Sequence, residues 1–470
     1  LQPIVVVNKV DRPGARPEWV VNQTFDLFDR LGASDAQLDF PVVYASALGG
    51  WATLDVKVAK TGKPPEGGDM KPLFDTILAH VPAPGGDASA PLQFQISALD
   101  YSSYVGRLGI GRIRRGTLEA GAEVAVLHGP LAEGEVPAKA KVGQVFTFAG
   151  LERVPVDEAR AGDIVMVTGV EDLTIGTTLT DVETPEALPP IAVDEPTLAM
   201  TFQVNTSPLA GREGKYVTSR NLRERLHREL LTNMALRVED TPDTDVFAVA
   251  GRGELHLTIL IENMRREGYE LAVSRPRVVT REIDGVVHEP YEALTVDVED
   301  AHQGAVMQEL GGRRGELAHM ESDARGRTRL DYRIPARGLI GFQGEFMNLT
   351  RGTGLMSHVF DSYAPVKGDI PERRNGVLVS QEDGDAVAYA LWKLQERGRM
   401  FVSPGDPVYE GMVIGIHSRD NDLVVNPIKT KKLTNVRAAG KDDAILLTPP
   451  IRLTLEYAVE FIADDELVEV

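Results

Sequence analysis

A chain of 470 residues is too long for one hydrophobic core, and about 100 to 200 residues per domain predicts three to five domains. It contains no cysteine, which excludes disulfides and thiolate metal sites and favours a reducing cytoplasm. No apolar run reaches the roughly 18 residues that cross a bilayer, and a net charge of −20 argues against a surface that binds nucleic acid everywhere.

The first 82 residues predict half of a doubly wound α/β domain. Leu1 to Val7 predicts a buried strand in a chain whose true N-terminus is missing, and Pro17 suits the first turn of a helix. Pro41 to Ala45 predicts a second apolar strand, and Lys71 to His80 a short helix. Apolar strands that alternate with helices indicate a parallel sheet covered on both faces. Only two strands are predicted here, so residues 1–82 form a partial domain.

The pattern becomes antiparallel after a linker at residues 83–90. Short alternating segments follow, and glycines at 106, 109, 111, 116 and 121 indicate tight turns between strands. Such segments are typical of a β-barrel. We therefore predict a β-barrel domain over residues 91–188.

An internal repeat follows the barrel. In each copy a Glu-Pro pair precedes an alternating strand, a helix comes next, and a further strand runs into Arg-Gly. This order predicts two ferredoxin-like α+β domains, at residues 195–278 and 286–365. Residues 366–470 predict a β-rich C-terminal domain with one clear helix over Val387–Leu394, which Gly398 would end.

The segment Asn8-Lys9-Val10-Asp11, directly after the first strand, is the signature that selects guanine. Guanine presents an N1-H beside an exocyclic amine, and the Asp11 carboxylate can accept both bonds, whereas adenine offers no such donor pair. Lys9 can lay its aliphatic stem along the base, and Asn8 would brace the loop. The alternative interpretation is a chance tetrapeptide at the end of a buried strand.

The second strand runs into Ser46-Ala47-Leu48, which resembles the loop whose backbone N–H groups meet guanine O6 in GTP-binding proteins. Both segments follow strands of one sheet, where α/β folds bind ligands. We therefore predict a guanine site formed by Asn8, Lys9, Asp11, Ser46, Ala47 and Leu48. No Gly-x-x-x-x-Gly-Lys-Ser/Thr segment occurs in the 470 residues. Without that phosphate loop we assign no catalytic residue and expect this chain not to hydrolyse GTP.

A dense basic run lies near the C-terminus. Five basic residues and no acidic one occur between Leu423 and Lys441. Lys and Arg can neutralise phosphates there, while neutral Thr and Asn add hydrogen-bond donors. The predicted RNA-binding residues are Lys429, Lys431, Lys432, Thr434, Asn435, Arg437 and Lys441. The alternative is a solvated charged loop.

Other candidates favour structural roles. Glutamates interleave with the arginines at 220, 223, 225 and 228, which indicates a solvated helix face. His256 is a lone histidine where a strand passes into a helix. It is interpreted as a hydrogen-bonded structural residue and not as a ligand or a catalytic acid. Arg252-Gly253 and Arg337-Gly338 are interpreted as backbone turns and domain contacts. The Asp and Glu pairs show no metal-ligand spacing.

Five segments together resemble the BipA/TypA family of ribosome-associated translational GTPases, which are relatives of elongation factor G. The resemblance covers the whole chain in order. Its segments are residues 8–17, 106–113, 251–257, 335–342 and 426–437. Residues 1–82 then correspond to the C-terminal part of a GTP-binding domain. The family's phosphate loop, both switches and the switch-two histidine are missing.

This resemblance implies a cytoplasmic protein that binds GTP or GDP, with Mg²⁺ ligands that lie outside this chain. It implies GTP-dependent binding to the 70S ribosome or 50S subunit at the elongation-factor site, with contacts to 23S rRNA and A-site tRNA. It also implies a monomer with roles in 50S assembly and in stress or cold adaptation. Alternatives are a LepA-like elongation factor and a nucleotide-independent rRNA- or tRNA-binding module. Whether GTP, GDP or a guanosine tetraphosphate alarmone is the working ligand stays open.

Overall fold

The computed structural model describes residues 2–102, 104–132, 136–193, 195–323, 326–370, 373–430 and 446–470. The chain forms two compact units, one of residues 1–98 and 102–190 and one of residues 99–101 and 191–470. Within the described ranges, no helix is long and apolar enough to cross a membrane.

The first unit begins with a three-stranded sheet and four helices. Its elements are β1 (Val5–Val7), α1 (Pro17–Arg30), α2 (Asp35–Leu38), β2 (Val42–Ser46), β3 (Trp51–Thr53), α3 (Val56–Thr61) and α4 (Lys71–His80). Strand β1 pairs with β2 in parallel, whereas β3 pairs with β2 in an antiparallel direction. The predicted parallel pair and the helix at 71–80 are confirmed.

Two details of this sheet differ from the sequence-based expectation. The first strand begins at Val5 rather than Leu1, because its ladder partner β2 begins only at Val42. A third strand, β3, is present where only two were predicted. This strand is the three-residue segment that follows the Gly49-Gly50 pair. A segment of that length is too short to show the alternation of apolar and polar residues that identifies a strand in sequence.

Helices cover both faces of this sheet. Val7, Tyr44 and Trp51 pack on one face against Val21 of α1 and Val56 of α3. On the other face, a smaller cluster of Val43, Ala45 and Ala52 packs against Met70 and Leu73 at the start of α4. Burial on both sides explains why β2 is apolar at successive positions, whereas Val6 of β1 is 42% exposed.

An antiparallel sheet of eight strands forms the rest of the first unit. Its order is β10-β9-β12-β5-β4-β13-β7-β8, and a short β11-β6 pair adjoins it. The strands are β4 (Gln93–Ser102), β5 (Gly106–Arg115), β6 (Thr117–Glu119), β7 (Glu123–Leu127), β8 (Ala138–Lys141), β9 (Val145–Ala149), β10 (Glu152–Val156), β11 (Glu158–Arg160), β12 (Ile164–Val167) and β13 (Thr178–Thr180). The antiparallel architecture predicted after the linker is confirmed.

Two of the five glycines predicted as turns lie inside a strand. Gly109 and Gly111 sit within β5, beside its neighbouring strand β4 in the sheet. A Cβ on Gly111 would lie 1.9 Å from the carbonyl oxygen of Gln95, and one on Gly109 would lie 2.7 Å from Ile96 Cδ1. These glycines permit close approach of neighbouring chain segments, so their interpretation as turns was wrong. Gly106, Gly116 and Gly121 have positive φ and do mark turns.

The second unit contains both copies of the predicted repeat. The first copy comprises β14 (Leu198–Gln203), α5 (Ser219–Glu229), β15 (Arg237–Asp240), β16 (Val246–Gly251), α6 (Glu254–Glu267), β17 (Ala272–Ser274) and β18 (Arg277–Val278). The second comprises β19 (Arg281–Ile283), β20 (Val286–Glu299), α7 (Asp300–Gly312), β21 (Glu316–Ser322), β22 (Arg327–Pro335), a 3₁₀ turn (Ala336–Gly338), α8 (Phe342–Leu349) and β23 (Leu355–Pro365).

The two copies share one topology. The first sheet runs β15-β16-β14-β17 and the second β21-β22-β20-β23, so the strands have the same order in both when they are counted from β14 and from β20; β18 and β19 are additional short strands. Helices α5 and α6 close the first core over Phe202 and Phe247. Two split βαβ units, as the repeat predicted, are therefore present.

The remaining elements form a small mixed sheet, a separate pair of short strands, two helices and a last strand that joins the first copy of the repeat. They are β24 (Val377–Ser380), β25 (Gly384–Asp385), α9 (Ala388–Leu394), β26 (Gly398–Met400), β27 (Pro407–Val408), β28 (Val413–His417), β29 (Leu423–Val425), α10 (Leu455–Phe461) and β30 (Leu467–Glu469). The main sheet has the order β26-β28-β24-β29. Gly398 does not end α9 but starts β26. A Cβ there would lie 1.8 Å from the Ile416 carbonyl oxygen, so the close approach of the neighbouring strand accounts for the glycine.

The last strand of the chain does not belong to this mixed sheet. It pairs with a strand of the first copy of the repeat. Strand β30 pairs antiparallel with β17, which places Val468 opposite Val273. Val459 of α10 is fully buried in the core around Phe202, and Val468 and Val470 pack against the same core. The final residues of the chain therefore complete a hydrophobic core that was begun more than 200 residues earlier.

Candidate guanine and RNA sites

The predicted guanine motif begins directly after β1, and its asparagine connects two loops. The Asn8 side-chain oxygen accepts the backbone N–H of Lys9 over 2.7 Å and that of Ala47 over 3.0 Å. The second bond spans 39 residues of chain and joins the loop after β1 to the loop after β2. The structure thus brings Asn8 and Ala47 into direct contact.

Val10 anchors the motif from beneath. Its side chain is buried in the same cluster as Val7 and Tyr44, and its N–H donates to the Ala45 carbonyl over 3.3 Å. Lys9 has a φ of 63°, the left-handed conformation that turns the chain between these two anchors. The side chain of Lys9 is exposed and that of Asp11 is half-buried, so both are accessible at the end of β1.

The second loop is held by its serine. The Ser46 side chain is buried, and its hydroxyl oxygen accepts the Gly49 N–H over 3.1 Å. Ala47 and Leu48 are exposed at the tip of this turn. The Ala47 N–H, one of the groups expected to meet guanine O6, donates to Asn8 in this structure.

A helix that the sequence analysis missed supports the loop from behind. Helix α3 ends at Gly62, whose Cβ position lies 3.5 Å from the Val10 carbonyl oxygen. The signal was present in the sequence, because Asp55 caps the helix by accepting the Lys57 N–H over 2.7 Å and Gly62 ends it at a φ of 65°. An Asp cap and a terminal glycine seven residues apart mark a short helix.

Of the predicted RNA-binding residues, only Lys429 belongs to the described part of the chain. Its side chain is exposed, and it follows the buried Pro427 at the end of β29. The other six predicted RNA-binding residues lie outside the described ranges. They are Lys431, Lys432, Thr434, Asn435, Arg437 and Lys441.

One arginine of α5 contradicts the expected solvated face. Arg225 is only 7% exposed and donates from two nitrogens to the Glu267 carboxylate, at 2.7 and 2.8 Å, and from a third to Glu229. Helical spacing alone cannot distinguish this residue from Arg220, which pairs with Glu224 at the surface. The difference arises because α6 brings Glu267 against one side of α5.

His256 and Arg337 hold backbone and partner side chains. The His256 Nδ1 accepts the Arg252 N–H over 3.2 Å, and its Nε2 lies 2.9 Å from the side-chain nitrogen of Asn233. Desolvation, followed by the nearby Arg252, lowers the pKa of His256. Arg337 pairs with the fully buried Glu289 and donates to the carbonyl of Lys367. Both sets of contacts agree with structural roles.

A cavity of about 730 Å³ in the second unit has an arginine-rich lining, but these arginines already have carboxylate partners. Arg313, for example, binds Glu309 and Glu345, and Arg373 binds Glu466. A free anion would have to displace these pairs, so the cavity does not resemble an anion site. Among the described residues, no group of three or more His, Asp or Glu side chains is arranged to hold a metal ion.

Three family models match successive parts of the chain. Elongation factor Tu domain 2 matches residues 106–180, the elongation factor G C-terminus matches residues 286–374, and the TypA/BipA C-terminal domain matches residues 375–470. The order of these matches agrees with the order of the barrel, the second copy of the repeat and the final mixed sheet.

Curated relatives match along the entire chain. The large ribosomal subunit assembly factor BipA of Escherichia coli K12 is 58% identical over 471 aligned residues, which span 100% of this chain and 76% of that protein. The factors of the same name from Haemophilus influenzae and Bacillus subtilis are 57% and 50% identical, and 75% of each is covered. Identity of this extent, together with the match of its C-terminal region, shows that the chain belongs to the BipA/TypA family of translational GTPases.

Proposed function

We propose that this chain reads a guanine nucleotide with its first α/β sheet and contacts ribosomal RNA with its C-terminal region. The relatives named as large ribosomal subunit assembly factors support a role on the 50S subunit. The observation that carries the nucleotide part is the hydrogen bond from Ala47 to Asn8, which holds the two loops of the guanine motif together.

In this proposal each side chain of the guanine motif has a different role in recognising the base. Asp11 accepts the N1-H and the exocyclic amine of guanine, and Lys9 covers the base with its aliphatic stem. Asn8 accepts the Ala47 N–H and so keeps the Ser46-Ala47-Leu48 loop beside them, which leaves the other backbone N–H groups at the loop tip to meet the guanine O6 edge. An adenine would leave the Asp11 carboxylate without donors, which costs more than the missing bonds.

The chemistry of hydrolysis requires groups that these 470 residues do not contain. No phosphate loop occurs in them, and hence no hydroxyl from such a loop to hold Mg²⁺. We propose that the chain by itself binds the guanine of GTP or GDP without cleaving GTP. Hydrolysis with Mg²⁺ is then a property of a protein that also carries the phosphate loop and switches.

We propose a division into a partial GTP-binding domain at 1–82, a barrel at 91–188, ferredoxin-like domains at 195–278 and 286–365, and an RNA-binding domain at 366–470. The separate sheets and the three family matches support it. We further propose a cytoplasmic monomer that binds the 70S ribosome or 50S subunit, 23S rRNA and A-site tRNA. A role in stress or cold adaptation rests on the family resemblance alone.

Exchanging the base-reading carboxylate for an amide tests the nucleotide part. Xanthine carries an oxygen where guanine has its exocyclic amine, so Asp11→Asn should bind xanthosine diphosphate better than guanosine diphosphate, whereas the unchanged chain should prefer guanosine diphosphate. Competition between the two nucleotides, followed by ligand-observed NMR, reports this ratio even when binding is weak. Asp29→Asn, an exposed position on α1, is the matched control.

Two results would count against the proposal. An unchanged preference for guanine in Asp11→Asn would remove Asp11 from base recognition. If the unchanged chain bound neither nucleotide and still bound ribosomes, the nucleotide-independent RNA-binding module would be the better description.

A further inference from the structure

Helix α9 has an outward face of two aromatic rings and one cation. Tyr389, Trp392 and Lys393 are spaced so that they share one side of the helix, while Ala390 and Leu391 are buried on the other. The Tyr389 and Trp392 ring centroids are 6.3 Å apart, with planes 33° from parallel. The Lys393 Nζ lies 4.8 Å from the centroid of the Tyr389 ring. Trp392 is 44% exposed, although a large ring of this kind is usually well covered.

Both flanks of the basic segment are attached to the ends of this helix. Val387, at the start of α9, donates its N–H to the Pro427 carbonyl over 2.9 Å. At the other end, Gln395 donates to the Leu446 carbonyl over 3.3 Å and accepts the Thr448 N–H. The residues that enter and leave the run from Lys429 to Lys441 are therefore held against the two ends of one short helix.

We propose that the outward face of α9, formed by the exposed Trp392 and Lys393 beside the half-buried Tyr389, is a stacking platform for an unpaired RNA base. This inference rests on the proposed RNA contact and extends it to residues outside the basic segment. The base would lie on the indole ring of Trp392, and the Lys393 ammonium would meet an adjacent phosphate. Stacking on aromatic side chains beside a basic groove is a general way to hold single-stranded nucleic acid, and it tolerates any base.

The local chemistry favours this occupant over others. A duplex hides the faces of its bases, so it cannot use an exposed ring in this way. A protein partner would need a wider apolar patch than two rings beside a lysine. Lys429, exposed two residues after the Pro427 that contacts the start of the helix, supplies positive charge on the described flank of the basic segment. The acidic residues nearest in sequence are Glu396 after the helix and the exposed Glu382, Asp383 and Asp385 before it, of which Asp383 accepts the Glu410 N–H.

Tryptophan fluorescence can report the stacking directly. The chain has three tryptophans, of which Trp51 is 2% exposed and Trp19 is 49% exposed. In a Trp19→Phe background, an unstructured oligoribonucleotide of about ten nucleotides should quench the emission of Trp392. The same strand annealed to its complement should not. Equal quenching by the duplex, or no quenching by either, would overturn the proposal.

Ribosome binding by the whole chain provides the second measurement. Trp392→Ala should weaken binding to ribosomes or 50S subunits by about tenfold, as expected for the loss of one stacked base. Trp392→Phe retains a ring and should bind almost normally, which separates lost stacking from misfolding. Trp19→Ala is the matched control, because it removes an equally exposed tryptophan elsewhere. Near-normal binding by Trp392→Ala, or equal losses in the Ala and Phe variants, would contradict the proposal.

The contribution of Lys393 has its own signature. One phosphate contact on a single strand contributes about 0.7 to the slope of log affinity against log salt. Lys393→Ala should reduce the slope by about that amount for the single-stranded oligonucleotide. An unchanged slope would remove Lys393 from the platform.

A failure of this inference can be distinguished from a failure of the proposed function. If Lys431→Ala/Lys432→Ala weakens ribosome binding while Trp392→Ala does not, the RNA contact survives and the stacking platform is rejected. If neither variant changes ribosome binding, the proposed RNA contact itself fails, and the platform fails with it.

Discussion

The side-chain oxygen of Asn8 accepts the backbone N–H of Ala47 over 3.0 Å, and this bond joins two loops that are 39 residues apart. Each loop follows one strand of a parallel pair, in which Val7, the last residue of β1, lies opposite Tyr44, two residues before the end of β2. Parallel pairing alone would leave the separation of the two loops variable. The asparagine restricts that freedom, because its hydrogen bond to Ala47 holds the two loops at a fixed distance.

Replacing Asn8 with alanine should therefore weaken guanine binding by about fivefold to tenfold, the usual effect of losing one structural hydrogen bond of about 1 kcal/mol. The base contacts of Asp11 would be intact, so the preference for guanine over adenine should persist. Nucleotide titration followed by NMR measures both quantities. Asn22→Ala, on the exposed side of α1, should leave them unchanged. Equal affinity in Asn8→Ala would show that the loops are held together by other contacts.

Neutralising two lysines of the basic segment should weaken ribosome binding and flatten its dependence on salt. Each phosphate contact contributes about 0.7 to 0.9 to the slope of log affinity against log salt, so Lys431→Ala/Lys432→Ala should lower it by about 1.5. Co-sedimentation with ribosomes over a range of salt concentrations gives the slope. The control removes Lys60 and Lys71, which face Glu18 and Asp75 respectively. An unchanged slope in the first variant would exclude these lysines from the RNA contact.

The environment of Glu254 predicts that the free energy of unfolding falls as the pH rises. It is the first residue of α6, and burial raises its pKa to about 7, with further contributions from Glu460 and Glu456 of α10. His358 of β23 acts in the opposite direction. Because the folded state holds this proton more tightly than the unfolded state does, the contribution is fully present below about pH 4.5. It is lost as the pH rises through about 7.

The expected loss is on the order of 3 kcal/mol between pH 5 and pH 8. Glu254→Gln should remove it, so the variant should be more stable than the unchanged chain at pH 8 and no more stable at pH 5. Urea unfolding at several pH values measures the difference. Glu262→Gln on the same helix should behave oppositely, because Arg265 and Arg266 lower the pKa of Glu262 to about 2. The stabilisation by the Glu262 carboxylate is present above about pH 4.5 and lost at lower pH. If the free energy of unfolding changed with pH in the same way in the two variants, this explanation would be contradicted.

Deleting residues 467–470 should expose the edge of the first ferredoxin-like sheet. Strand β30 protects Ala272–Ser274, and the Glu469 carboxylate accepts hydrogen bonds from Ser207, Asn205 and Tyr409. Val468 and Val470 also pack on the core, so the deletion should cost about 2 to 4 kcal/mol by the usual value for burying valines. Hydrogen exchange should increase at residues 271–274. Glu469→Gln keeps the strand and should leave that exchange slow; fast exchange there would assign the docking to the carboxylate instead of the strand.

Several features that depend on neighbours in sequence were predicted correctly, although the short helix α3 was missed despite its local cap and terminal glycine. The helix from Lys71 to His80 was predicted with both of its ends, and Pro82 follows its last turn. The signals of helix α6 are equally local, since its apolar residues are periodic and Gly268 ends it in the left-handed conformation. The repeat was visible as a repeated order of strands and Arg-Gly turns. Periodicity, caps and special glycines act over a few residues, so they can be recognised without a fold.

Features that depend on distant segments were decided only by the tertiary structure. Arg225 is buried because α6 places Glu267 beside it, although its spacing on α5 resembles that of a surface residue. Gly111 lies within a strand and not in a turn, because the backbone of the neighbouring strand β4 approaches it too closely for a side chain. Leu467–Glu469 suits any sheet edge, and only the folded chain selects β17 as its partner. The amino-acid sequence by itself thus determined the local elements and the residues of the guanine motif. The contact between Asn8 and Ala47 depends on which strands pair in the folded chain. That pairing follows from which apolar surfaces are buried together, and no local sequence pattern encodes it.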